Sequence, residues 1–246
     1  MSVTWNPWHG CKKISAGCQN CYVYRQDFKF EKDSSIVTKN ASFNLPTRKN
    51  RNGNYKIPSG EMVFTCFTSD FFLKEADAWR EVVWKMIKER TDLNFFIITK
   101  RPDRFFISLP DDWRGGYENV YISCTVENQK MSDFRLPIFL KLPIKHKFIA
   151  VSPLLEKINL LPYLNSEIEE VVVGGESGKF ARICDYRWVL NLRDQCISKD
   201  IPFWFHQTGS KLYKDGKLYN IPRKYHHSQA EKANINYKTE KFKEEK

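Results

Sequence analysis

The sequence predicts an α/β chain built as a full or partial parallel β/α barrel. Three observations lead there. From Met62 onward short apolar, β-prone runs alternate with segments of helix length. Each run is nearly continuous in its apolar content, as parallel strands covered on both faces are. The downstream ends of the runs carry polar clusters, where a barrel opens its one functional mouth. A doubly wound open sheet shows the same alternation, and periodicity does not separate the two.

The elements follow in order. Ser2 to Trp5 is a short β segment, and residues 22–30 (YVYRQDFKF) read as a short amphipathic helix. Residues 31–60 are polar and Asn/Lys-rich, a loop insertion with turn signals at Asn52-Gly53 and Pro58. MVFTCFT (62–68) is a strand, and Ala76 to Arg90 is a helix with Trp79, Val82, Val83, Met86 and Ile87 at helical spacing. NFFIIT (94–99) is the next strand, followed by a short irregular helix in RPDRFFISLP. NVYISCT (119–125) precedes a Pro-interrupted amphipathic stretch from Asp133 to Leu142. KFIAV (147–151) and EVVVGG (170–175) add two strands, Asp185 caps a helix through Trp188, Val189, Leu192 and Cys196, and IPFWFHQ (201–207) is the last strand. About seven strands result. Residues 1–210 read as one barrel domain and 211–246 as a basic extension, KLYKDGKLYNIPRKYHH then NINYKTEKFKEEK, whose last twenty or so residues are expected to fray.

Composition excludes two classes. The 246 residues include 18 Phe, 11 Tyr and 7 Trp, enough to bury a large core, so the chain is not disordered. No run approaches the roughly 18–20 apolar residues that span a bilayer, so no membrane is expected. MSVTWNPWHG lacks the basic and apolar regions of a secretory signal, and the chain reads as cytoplasmic. The net charge of +11 points to a polyanionic partner, a nucleic acid or nucleotide, without locating a site.

Polar groups gather at six strand ends: Ser69-Asp70, Lys100-Arg101, Glu127-Asn128-Gln129, Ser152, Gly174-Gly175-Glu176-Ser177 and His206-Gln207. The glycines of GGESG read as a close backbone approach to a ligand, because the P-loop lysine and spacing are missing. Lys211 to His227, with Arg48, Lys49 and Arg51, could track a nucleic-acid backbone or form a solvated face.

Seven cysteines are present, three of them within WNPWHGCKKISAGCQNCY as C-x6-C-x2-C. Cys66, Cys124, Cys184 and Cys196 lie in apolar or amphipathic segments and read as buried small hydrophobes. Cys11, Cys18 and Cys21 share a loop punctuated by Gly10 and Gly17, and Lys12 and Lys13 favour thiolates. Spacing leaves three readings open: an iron–sulfur cluster with one open iron, a zinc site completed by His9, and incidental thiols. The zinc reading makes the chain a zinc-stabilised, non-catalytic nucleic-acid-binding protein.

The sequence resembles the phage-type three-cysteine proteins, relatives of radical S-adenosylmethionine (SAM) enzymes. The resemblance spans most of residues 4–209 through seven blocks in fixed order: WNPWHGCKKISAGCQNCY, FTCFTSDFF, FFIITKRPDR, VYISCTVENQ, VSPLL, VVVGGESGKFAR and WVLNLRDQCISKDIPFWFHQTG. It implies a barrel of the radical SAM type with the cysteine loop after the first strand. Cys11, Cys18 and Cys21 would hold a [4Fe-4S] cluster whose open iron binds SAM. A one-electron reductant would then drive SAM cleavage to a 5′-deoxyadenosyl radical that abstracts hydrogen from an anionic substrate.

Within that resemblance Ser69, Asp70, Lys100, Glu127 and Asn128 are expected on the SAM side: Asp70 at the amino group, Lys100 at the carboxylate, Glu127 and Asn128 at the ribose. Arg101, Arg182 and Gln207 are expected at the substrate, with Glu176 and His206 as catalytic groups. Asp70 can equally cap the following helix, Glu127 and Asn128 can close a loop network, Lys100 and Arg101 can form surface ion pairs, and His206 can be structural. The chain departs from the radical SAM pattern in its six-residue first gap, in Asn20 before the third cysteine, and in a Gly-Gly-Glu that closes a late strand. It departs from its family at Ser152, where Glu is usual, and at His206, where Lys is usual.

Overall fold

The computed structural model describes residues 2–239. The chain divides into two compact units. One holds the N-terminal segment through Lys13, Val23–Cys124 and Lys141–His146; the other holds Ile14–Tyr22, Thr125–Leu140 and the described residues from Lys147 on.

The first unit contains β1 (Ser2–Trp5), the two-residue strands β2 (Trp8–His9) and β3 (Thr38–Lys39), α1 (Tyr22–Phe28), β4 (Met62–Thr65), α2 (Asp77–Glu89), β5 (Asn94–Thr99) and β6 (Val120–Thr125). β1 pairs with β4, β4 with β5 and β5 with β6, all parallel. α2 forms because Val83, Trp84, Met86 and Ile87 recur on one face and are buried there. Trp84 packs on Phe71 and Trp113 with ring centres 4.9 Å apart in each pair, and such pairs add about 0.5–1.5 kcal/mol beyond area burial. The helix ends at Arg90, a buried guanidinium that binds Asp92 at 2.8 Å and the carbonyl of Ile57 at 2.9 Å, and so ties down the insertion. β4 and β5 alternate buried with half-buried residues. They are therefore not covered equally on both faces, as their apolar runs predicted: Phe64 and Phe96 face the less covered side.

The second unit contains α3 (Gln129–Leu140), β7 (His146–Val151), β8 (Ile168–Gly174), β9 (Cys184–Asp185), α4 (Tyr186–Ser198), β10 (Phe203–Gln207), β11 (Lys211–Lys214), β12 (Lys217–Asn220) and α5 (His226–Lys232). β7 pairs with β8 and β8 with β10, again parallel. Asp185 caps α4 as predicted, accepting the Arg187 N–H at 2.8 Å. α3 starts four residues before the predicted Asp133, capped by Asn128, and carries Pro137 inside its last turn. β11 and β12 turn at Asp215 and Gly216, both with positive φ (50° and 76°). That is the mirror-image turn that matches strand twist, and Asp-Gly is its sequence signal.

The hydrogen-bonded strand order is β1-β4-β5-β6 in the first unit and β7-β8-β10 in the second. In each it follows chain order, as a partial β/α barrel requires. A second sheet runs β12-β11-β9. Among the described residues no helix is long and apolar enough to cross a membrane.

The frayed end expected over the last twenty or so residues is corrected over 227–239. Tyr237 exchanges two 2.9 Å backbone hydrogen bonds with Phe203, Asn236 accepts the Phe205 N–H at 2.8 Å, and Ile235 and Thr239 are buried. Low local apolar content was the wrong guide, because this segment is ordered by pairing along β10 rather than by a core of its own. The remainder of that stretch, 240–246, lies outside the described residues.

Candidate functional site

The cysteines separate as the sequence predicted. Cys66, Cys124, Cys184 and Cys196 are buried; Cys11, Cys18 and Cys21 are half-exposed; none forms a disulfide. Burial pushes the Cys184 and Cys196 thiols up to about 12 and Cys66 well above the ordinary value, so these three stay protonated.

In the first unit, the Cys11 segment is held by backbone and side chains together. The Cys11 N–H donates to Ser34 O at 2.8 Å, and the Tyr24 hydroxyl donates to the Cys11 carbonyl. Gly10 has φ of 91°, and a Cβ there would lie 2.3 Å from the Ile36 carbonyl oxygen, so only glycine fits. Ser69 donates its hydroxyl to the Gly10 carbonyl. Arg101 Nη2 donates to the Lys12 carbonyl at 2.5 Å, and its Nη1 lies 3.8 Å from Cys11 Sγ and 3.0 Å from Asp70 Oδ2. Burial opposes the Arg101 charge, but Asp70 and the Cys11 sulfur outweigh it and raise its pKa.

Asp70 is fully engaged. Besides Arg101 it accepts from Phe72 N (3.0 Å), Thr99 Oγ1 (2.8 Å) and Lys100 N (2.9 Å). Lys100 contributes its backbone here, and among the described residues its ammonium pairs with no carboxylate.

In the second unit, Ala16–Cys18 forms one 3-10 turn, with Cys18 N donating to Ser15 O at 2.9 Å and Cys21 N to Cys18 O at 3.3 Å. Glu127 is completely buried and accepts the Gly17 N–H at 3.1 Å. Arg135, 1% exposed, donates to Glu127 Oε2 and to Thr125 O, each at 2.8 Å. A Cβ on Gly17 would come within 3.0 Å of the Glu127 carboxyl carbon. Glycine here lets the buried Glu127 side chain approach closely, and its φ needs none of the backbone freedom expected of it.

Glu176 holds the far side of the same turn. It accepts from Asn20 Nδ2 at 3.0 Å and from Arg182 N and Nε, each at 2.9 Å. Arg182 Nη2 continues to the Ala16 carbonyl at 3.0 Å. Asn20 Nδ2 also donates to Phe180 O at 2.8 Å, so the residue that breaks the radical SAM pattern ties the loop down. Burial would raise both glutamates. Ser15, Arg135 and the Gly17 N–H overcome it for Glu127, and Arg182 and Asn20 for Glu176, so both lie below the ordinary value.

The remaining predicted positions scatter. Asn128 Oδ1 accepts the Met131 N–H at 2.9 Å, capping α3. Gln207 donates to Gly175 O at 3.0 Å, and a Cβ on Gly174 would meet both Gln207 Cγ (2.9 Å) and Ser152 Oγ (3.1 Å). His206 does not join them. The β10–β8 register shifts between Phe205 and Gln207, which leaves His206 out of the regular pairing, and its ring packs instead against Trp204 (4.8 Å) and His227 (4.5 Å). Burial lowers His206 to about 4, and its Nδ1 is buried without a partner. The close approach predicted for GGESG is made to the chain itself: a Cβ on Gly175 would lie 2.2 Å from the Thr208 carbonyl oxygen.

Sequence reasoning missed Arg135, Thr99, Ser15 and Tyr24. Arg135 had a signal, a lone arginine beside Leu136 in an apolar helical segment; the others had none.

Three thiols outside disulfides are soft donors suited to iron–sulfur ligation. Among the described residues no three His, Cys, Asp or Glu side chains are grouped to hold a single metal ion. No curated protein and no solved structure matches the chain. A family model described as "Protein of unknown function (DUF5131)" matches residues 1–244, and the chain belongs to that family.

Proposed function

We propose that this member of the DUF5131 family is a radical SAM-type iron–sulfur enzyme on a partial β/α barrel. Cys11, Cys18 and Cys21 are its cluster ligands, and its substrate is anionic, of the nucleotide or nucleic-acid class. When bound, a [4Fe-4S] cluster and SAM supply one-electron chemistry, in which an electron from an external reductant releases methionine and a 5′-deoxyadenosyl radical that takes a hydrogen atom from the substrate.

One observation carries the reading. Of seven cysteines, only the three on the N-terminal loop are half-exposed, and acid–arginine pairs hold the backbone between Cys11 and Cys18 at Lys12, Ala16 and Gly17. Incidental thiols need no such support. Arg101, 3.8 Å from Cys11 Sγ, favours the thiolate and offsets negative charge. Asp70, Glu127 and Glu176 act as positioning residues, since their oxygens are committed to Arg101, Arg135, Arg182 and the loop. Asn128 caps a helix. Lys100 keeps an uncommitted ammonium for the SAM carboxylate. Ser152 and Gln207, side by side over Gly174, offer neutral hydrogen-bonding groups to the substrate.

The test is purification without oxygen, followed by the visible spectrum, iron, sulfide and zinc content, and an assay of reductive SAM cleavage. A brown preparation with about four irons per chain that yields 5′-deoxyadenosine supports the reading. Cys11→Ala, Cys18→Ala and Cys21→Ala should each lose the cluster, and Cys66→Ala should keep it. A colourless protein with stoichiometric zinc, unchanged after reconstitution with iron and sulfide, overturns it in favour of a zinc-stabilised binding protein.

A further inference from the structure

The proposed chemistry makes no use of the hairpin β11–β12, which has the composition of a recognition surface. Between Lys211 and Tyr225 five basic residues (Lys211, Lys214, Lys217, Arg223 and Lys224) face one acid, Asp215. β12 is the outer strand of its sheet, and all four of its residues are exposed. Leu218, Tyr219 and Tyr225 remain 41–44% exposed among these charges.

Cations lie against the rings throughout: Lys217 Nζ is 5.2 Å from the Tyr219 ring centre, Lys224 Nζ 4.8 Å from Tyr225, and Lys214 Nζ 4.9 Å from Tyr186. Lys214 and Lys217 sit directly opposite each other across the strands. Like charges in that register are destabilising unless an anion answers them. A cleft of about 300 Å³ opens beside them, walled in part by Tyr186, Tyr213 and Lys214. Two carboxylates line that wall: Asp185 is bound by Arg187 Nε at 3.0 and 3.1 Å and caps α4, so it does not stand unpaired against a phosphate, and Asp215 sits in the turn between Lys214 and Lys217, outnumbered by them.

We propose that the β11–β12 hairpin and the adjoining cleft bind single-stranded nucleic acid, with Lys214 and Lys217 on phosphates and Tyr219 and Tyr213 under bases. An acidic protein surface would answer the charge but gives no use to exposed rings, each beside a cation. Unpaired bases need that combination, because every base offers a π-face to stack. A duplex hides those faces. The inference deepens the substrate class of the proposed enzyme, and it stands on binding alone, so it can be tested with no cluster present.

The probes are 5′-fluorescein-labelled dT20, rU20 and a 20-base-pair duplex, titrated by fluorescence anisotropy with the full-length protein. Saturable binding to dT20 or rU20, tighter than to the duplex, is expected, and the tighter of the two arms identifies DNA or RNA. With Lys214 and Lys217 each on a phosphate, log K should fall against log salt with a slope of about −1.4. Tyr219→Ala should weaken binding at least about fivefold, and Lys214→Glu with Lys217→Glu at least about tenfold. Lys85→Glu with Lys157→Glu, the same change in net charge at other exposed positions, should weaken it less than about twofold. All these residues lie at the surface, and unchanged circular dichroism checks that the variants fold.

Equal losses in the two charge variants, or a duplex bound as tightly as the single strands, would overturn the proposal. So would the absence of saturable binding below about 100 µM. Cys18→Ala with Cys21→Ala should bind as the parent does; loss there would assign binding to the cysteine loop and remove it from the hairpin. Failure of SAM cleavage alongside retained binding would instead refute the enzyme reading and leave this one standing.

Discussion

Removing the Glu127 carboxylate should damage the protein twice, once globally and once at the cysteine loop. Glu127 is 0% exposed and Arg135 1% exposed, with 2.8 Å between Nη1 and Oε2. Breaking such a buried pair from one side typically costs about 3–5 kcal/mol, because the surviving charge is left buried and uncompensated. Natural domains hold only about 5–15 kcal/mol in total, so Glu127→Ala should lose about a fifth or more of the stability. Arg135→Met should cost a similar amount. The double variant should cost clearly less than the sum, since it leaves no orphaned charge. Urea unfolding followed by tryptophan fluorescence measures all three.

The local consequence is separate. Glu127→Ala removes the acceptor of the Gly17 N–H, so Cys18 should react faster with a thiol reagent, while Cys11, held through Asp70 and Arg101, should not. Acid should reproduce the global loss in the parent protein. The folded Glu127 carboxyl lies below its ordinary 4.5, so its contribution is present above that value and lost as pH falls through the folded one. Single-variant costs under about 1 kcal/mol, or strict additivity in the double, would refute the view that this pair holds the loop.

Glu170 on β8 should give the opposite pH signature. Burial pushes it from 4.5 up to about 7, so the folded state binds the extra proton in that window and stability falls as pH rises through it. At about 1.4 kcal/mol per pH unit the span is on the order of 3 kcal/mol; Glu170→Gln should flatten thermal midpoints between pH 5 and 8, and a slope unchanged by the substitution would assign the effect elsewhere. Gly175→Ala must move backbone, because its Cβ would lie 2.2 Å from Thr208 O, and should cost at least ~2 kcal/mol in urea unfolding. Gly53→Ala, with open space but φ of 79°, should cost only about 1 kcal/mol.

The strands of the main sheet were legible because burial in a parallel sheet demands consecutive apolar residues. NFFIIT coincides with β5, and NVYISCT overlaps β6 to within one residue. α4 was legible through its Asp185 cap. The polar elements were not: β2 and β3 are two residues each, and the 227–239 segment is ordered by partners distant in sequence. The polar strand ends were visible as a set, but what each carboxylate does depends on which donor reaches it. Asn128 is the clearest case. An amide at a strand end resembles a ligand group, yet its acceptor is spent on the third N–H of a helix that starts one residue later. His206 differs, because the register of β10 shifts between Phe205 and Gln207, and nothing in the periodicity of IPFWFHQ marks that irregularity.

The arrangement of acid–arginine pairs also bears on why the loop is built from charge at all. Residues 10–20 contain two glycines, two lysines and two half-exposed cysteines, so the segment has little apolar surface with which to anchor itself. Hydrophobic packing would have to cover the thiols to fix them. A buried carboxylate fixes the segment without covering the thiols, as Glu127 does at the Gly17 N–H and Glu176 at the Asn20 amide, and guanidiniums reach its carbonyls, Arg101 at Lys12 and Arg182 at Ala16. The cost is desolvation of each pair, which packed apolar residues would avoid. That cost is met at the ends of β4, β6 and β8, in Asp70, Glu127 and Glu176. Three such pairs on one short segment are poor economy for stability alone, and they make sense where the position of half-exposed thiols is what the fold must specify.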